Sequence, residues 1–144
     1  MRFLHGAHPA LVHFPIALMG TSLVFDLVGL FTGAAQWWAI SFWNMVLGLS
    51  IGALTATTGL IDSMRVKSDS PASAVVTRHM FVILGAVSFY FGAVMVRFGA
   101  HEPEGMALVG TLVLEGLGAG LLLYGGWLGG ELVYRHGVGR EPRR

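Results

Sequence analysis

The sequence contains no cysteine among its 144 residues. This chain therefore cannot form disulfides, thiolate zinc sites or cysteine-ligated iron–sulfur clusters, and it cannot attach a c-type haem covalently. Charge is scarce too: 12% of the residues are Asp, Glu, Lys or Arg, about half the share of a soluble domain. No phosphate-binding loop, dinucleotide fingerprint, HExxH pair or serine nucleophile motif occurs, so no catalytic residues are assigned and a stand-alone enzyme is not expected. Nucleic acid is not an expected partner either, because the basic residues follow the membrane topology and acidic lipid headgroups are a sufficient partner for them.

The chain is rich in apolar residues, which make up 54% of it and give a mean hydropathy of +0.68. They gather into four segments, about 9–31, 37–61, 77–98 and 106–130. Each is close to the ~20 residues that a helix needs to cross the hydrocarbon core. The connections are TGAAQ, a longer polar stretch over about 63–76, and GAHEPEG. The expected fold is all-α, a single polytopic membrane domain over residues 1–144. Its architecture is an up-down four-transmembrane-helix bundle with both termini on the same side. The first segment is too long for a signal peptide, contains Asp26 and lacks a small-residue cleavage site, so it reads as a retained helix. Most of the 21 glycines sit inside the apolar runs, where small side chains let helices approach closely. The spacings Gly48–Gly52, Gly116–Gly120 and Gly126–Gly130 suit packing within the bundle, against other membrane subunits or in a homo-oligomer.

Four crossings place Arg2, Arg65, Lys67, Arg78, Arg135, Arg140, Arg143 and Arg144 on one side and leave Arg97 alone on the other. Positive residues stay on the cytoplasmic face, so both termini and the 63–76 loop are expected there. Trp37, Trp38 and Trp43 would mark the opposite interface, and Trp127 the cytoplasmic one. The bilayer and its anionic headgroups account for the basic residues.

Five of the six histidines fall on the same expected face: His5, His8, His13, His79 and His136. Imidazole ligates metals and haem iron, and it titrates near neutral pH. Pro9 suits the first turn of a helix, and Pro15 leaves the carbonyl of Leu11 without its usual partner. His8 and His13 are five residues apart and so point about 140° apart on a helix, which lets only one of them face the core. His13, the deeper of the two, is the expected one. His79 lies at matching depth on the third helix, diagonal to the first in an up-down bundle. His13 and His79 could hold one haem b between them, giving a membrane electron-transfer protein. In that reading Asp62 orients an imidazole, and His8 or His136 are alternative ligands. A second reading is a non-haem site for zinc, iron, copper or manganese built from His8, His13, Asp62, His79, Glu131 and His136. A third is an accessory or assembly subunit of a larger membrane complex, with no cofactor of its own.

Three further ionisable residues lie within the apolar segments or at their ends. Glu115, near mid-membrane, is a functional candidate because a charge there is costly unless it is paired, protonated or hydrated. Asp26 and Arg97, towards the other side, form a candidate structural pair. Asp62 with Arg65, and Glu131 with Arg135, have the spacing of helical ion pairs.

HPALVHFPIAL, the GLID that closes the second segment, the lone histidine opening the third and the terminal GGELVYRHGVG together resemble the DUF2231 family of predicted four-helix bacterial membrane proteins. The resemblance covers essentially the whole chain. It implies that His8, Pro9, His13, Pro15, Gly59, Asp62, His79, Gly129, Gly130, Glu131, His136 and Gly137 are motif positions. Related architectures sometimes carry a fused Rieske-type iron–sulfur domain, which implies a setting in membrane electron transfer. The chain departs from the family at Arg140, where the family often continues hydrophobically, and Glu115 lies outside the motif.

Overall fold

The structure is a computed structural model that describes residues 7–139; His5, Arg2, Arg140, Arg143 and Arg144 lie outside the described residues. The helices are α1 (Ala7–Leu11), α2 (His13–Thr32), α3 (Ala35–Ser63), α4 (Pro71–Val96) and α5 (Gly105–Tyr134), and there is no strand among the described residues. The first apolar run is divided at Val12 because Pro15 has no N–H to offer the Leu11 carbonyl. Backbone bonds from Val12 N to His8 O at 3.0 Å and from Ile16 N to Val12 O at 3.2 Å still carry the chain across the break. His8–Thr32, α3, α4 and α5 are each long and apolar enough to cross a membrane. The protein is an all-α, multi-pass membrane protein.

Two boundaries differ from the hydropathy reading. α4 starts at Pro71, well before the apolar run at 77, because extended Ser70 leads into a proline already set for the first helical turn. The methyl of Ala72 is buried there, so the extra turn is packed. The connection expected over 63–76 therefore contracts to the short stretch between Ser63 and Pro71. α5 continues to Tyr134, which puts Glu131 on the helix.

Glycines set the register of two antiparallel hairpins. In the first, Gly33 takes φ +67° at the end of α2, and its N–H bonds to Gly29 O at 2.8 Å, so the chain reverses within two residues. α2 and α3 then touch at Trp38 on Gly29 and Met19 on Gly48, and α1 lays His8 on Gly59. In the second, Tyr90 lies on Gly118, Ile83 on Gly125 and His79 on Gly129. Packing is far more extensive within each hairpin than between them; α2 meets α5 and α3 meets α4 along a thin seam. Met19, Phe42, Met45, Ala86, Tyr90, Ala93, Val94 and Leu122 close that seam as the buried core. On the outside Phe31, Phe81 and Leu123 are 84%, 70% and 79% exposed, an apolar surface suited to lipid.

Candidate functional site

The start of α1 and the end of α5 lie at one end of the bundle, where two imidazoles turn inward from different hairpins. His8 Nδ1 lies 3.1 Å from Thr55 O and 3.2 Å from Thr58 Oγ1. The Thr58 hydroxyl gives its own hydrogen to Thr55 O at 2.7 Å, so His8 Nδ1 is the donor in both contacts. His79 Nδ1 lies 2.9 Å from Gly125 O, an acceptor only, so it too carries its proton on Nδ1. Both rings are therefore held in the tautomer that leaves the Nε2 lone pair available. This is the orientation that a carbonyl imposes on a metal-ligating histidine. The two rings belong to different hairpins, His8 held on α3 and His79 on α5.

Glycine makes room for both rings. A Cβ at Gly59 would come within 2.7 Å of His8 Cε1, and one at Gly129 would lie 3.5 Å from His79 Cε1. Between the hairpins, about two turns from His8, Ile16, Gly20, Ala119, Leu122 and Leu123 line a half-open hollow of about 170 Å³.

The remaining expected ligands do not converge on this pair. His13 is exposed on α2, on the opposite face from the buried Pro15, so the inward imidazole of the first segment is His8 and not His13. The break at Val12 sets the two faces apart, as their spacing requires. Asp62 pairs with Arg65 at 2.9 Å and meets no imidazole among the described residues; backbone carbonyls of Thr55 and Gly125 take the orienting role foreseen for it. Glu131 pairs with Arg135 at 3.0 Å and stands 4.0 Å from His136 Nε2. Gly137, at φ +68°, turns the chain so that Val138 N bonds back to Leu132 O at 2.9 Å, a Schellman-type cap that holds His136 beside Glu131. No group of three or more His, Asp or Glu side chains positioned for a metal ion occurs among the described residues.

A second cluster occupies the opposite half of the bundle. Arg97, 1% exposed at the end of α4, donates from Nη1 to both oxygens of Asp26, at 2.8 and 3.0 Å, and to Ser41 Oγ at 3.2 Å. Its Nη2 reaches Trp38 O at 2.6 Å and also His101 O, and its Nε reaches His101 O at 3.1 Å. The guanidinium lies 6.0 Å from the Trp38 ring centre and 5.8 Å from that of Phe42. The His101 ring packs 4.4 Å from Phe42, centre to centre. Glu115, fully buried on α5, stands beside Asp26 and within reach of Ser22 and Tyr90. Residue types and spacing alone could suggest the Asp26–Arg97 pair. The backbone carbonyls that complete the arginine's shell have no signature in sequence.

A family model described as "Predicted membrane protein (DUF2231)" matches residues 4–142. No curated protein and no solved structure matches the chain.

Proposed function

The chain belongs to the DUF2231 family of predicted membrane proteins, and from that premise we propose that it is a one-electron carrier holding a single haem b between His8 and His79. One observation carries this reading: two imidazoles on opposite sides of the seam, each with Nδ1–H committed to a backbone carbonyl and Nε2 free. The donor set also separates haem from a bare ion. Zinc, iron, copper or manganese bound by protein alone takes three or four ligands, whereas a macrocycle brings its own equatorial nitrogens and asks for two axial ones. His8 and His79 supply two, with no third convergent ligand among the described residues. The hollow of about 170 Å³ is lined by neither histidine and is smaller than the roughly 300 Å³ at the lower end of ligand pockets, so a haem would fit only with the hairpins parted along the thin seam.

When bound, the haem supplies a reversible one-electron couple. The chain would hold it through His8 and His79, whose imidazoles are kept in one tautomer by Thr55 O and Gly125 O, and Gly59 and Gly129 leave room for the two rings. A single site near one face does not span the bilayer, so electrons cross only with a partner cofactor in another subunit. The excess of Lys and Arg at the histidine end supports a cytoplasmic placement for that end, in a bacterial inner membrane. The partner subunit has a suitable surface on α5. Gly116, Gly120 and Gly126 face outward, and a Cβ at any of them would meet nothing within 4 Å.

The test is the optical spectrum of the full-length protein, expressed with ample haem supply and purified in mild detergent. Sharp α and β bands should appear on reduction. They should disappear in His8→Ala and in His79→Ala and survive in His13→Ala. A colourless protein, or bands that persist in both inward variants, would overturn the reading. Stoichiometric metal without pigment would replace haem by a bare ion.

A further inference from the structure

Glu115 is 0% exposed, and neither carboxyl oxygen has a hydrogen-bond partner among the described residues. Its near neighbours explain why. Asp26 faces it from α2 but, as a carboxylate, can only accept. The Ser22 hydroxyl gives its hydrogen to Met19 O at 2.7 Å. Arg97 has five N–H donors, and Asp26, Ser41, Trp38 O and His101 O engage all three of its nitrogens. Tyr90 Oη and Thr111 Oγ1 are likewise buried without a partner among the described residues.

Charge counting leads to the same place. The titratable groups meeting here are Asp26 from α2, Tyr90 and Arg97 from α4 and Glu115 from α5; α3 contributes the Ser41 hydroxyl and the Trp38 carbonyl. Two carboxyl groups stand against one guanidinium in a site closed to water. An uncompensated carboxylate in that position is strongly disfavoured. A single proton removes the excess charge. It also turns an acceptor facing an acceptor into an O–H···O⁻ bond, among the stronger hydrogen bonds in proteins.

We propose that Asp26 and Glu115 together bind one exchangeable proton inside the membrane, with Arg97 fixing the stoichiometry at one by neutralising a single carboxylate. The ligand is a proton, because the two carboxyls stand side by side and Arg97 already fills the cation position beside Asp26.

Infrared spectroscopy of the full-length protein reconstituted in phosphatidylcholine vesicles reads this directly. At neutral pH the wild type should show the carbonyl stretch of one protonated carboxylic acid, shifted to lower frequency in heavy water. Glu115→Gln should abolish the band while retaining wild-type thermal stability, since the amide keeps the size and donor capacity of the neutral acid. Asp26→Asn should abolish it too, because Arg97 then has only Glu115 to neutralise it. No acid band in the wild type, or an unchanged band in Glu115→Gln, would overturn the proposal. So would a band lost on adding sodium chloride at fixed pH, which would assign the site to a metal cation. If Asp26→Asn fails to fold, the Glu115→Gln spectrum decides.

Discussion

At the scale of single residues, the absence of a side chain matters as much as its presence. A methyl group at Gly59 would sit 2.7 Å from His8 Cε1, and the ring is wedged between that position and the Thr55 carbonyl. Gly59→Ala should therefore destabilise the protein by about 1–3 kcal/mol, the usual cost of overpacking. Thermal unfolding in detergent would show this as a lowered Tm, accompanied by loss of any His8-dependent spectrum. Gly116→Ala is the control, since a Cβ there meets nothing within 4 Å; its Tm should hold or rise slightly through better helix propensity. Arg97→Met should cost about 3–5 kcal/mol, because Asp26 is left buried without its cation. Adding Asp26→Asn should recover part of that loss in the same assay. Sequence alone offered His8 and His13 as alternatives for one inward position. Depth favoured His13, but the helical break that Pro15 causes turns His8 towards α3 and leaves His13 outside. Thr55 O and Gly125 O were not legible at all, since every residue has a carbonyl and only packing selects which one is aimed.

At the scale of elements, apolar run length located all four crossings, and the glycine spacing pointed to close-packed faces. The same signal missed the first turns of α4, which are built from Pro71, Ala72 and Ser73 and are too polar to count as membrane-spanning. Capping geometry defines that start, and hydropathy does not report it. Some of the glycine patterns divided between two uses. Gly48 is packed against Met19, whereas Gly116 and Gly120 face away from the bundle, and spacing cannot tell the two apart. The α2–α3 reversal depends on left-handed Gly33. Gly33→Ala should cost about 1–2 kcal/mol, because a Cβ at φ +67° crowds the following carbonyl. Chemical denaturation monitored by Trp38 fluorescence would measure it, with loss of the Gly29 contact as the structural readout.

At the scale of the whole molecule, the apolar exterior means that the folded state is defined only in lipid or detergent. The uneven distribution of Lys and Arg is the argument for the proposed cytoplasmic placement of the histidine end. A reporter that fluoresces only in the cytoplasm should be bright when fused after Gly139. It should be dark when inserted between Gly99 and His101 in the connection between α4 and α5. The reverse pattern would invert the orientation without altering the fold.

The Asp26–Arg97–Glu115 cluster joins the two hairpins across the thin seam towards one end, whereas His8 and His79 at the other end bond within their own hairpins, to α3 and to α5. The molecule is thus a book clasped near one edge, with one histidine on each cover near the other. Thermodynamic reciprocity then applies. If a group admitted at the histidines parts the hairpins, it must also change the affinity for the proton proposed at the carboxyls, and removal of that proton must change the fit at the histidines by the same factor.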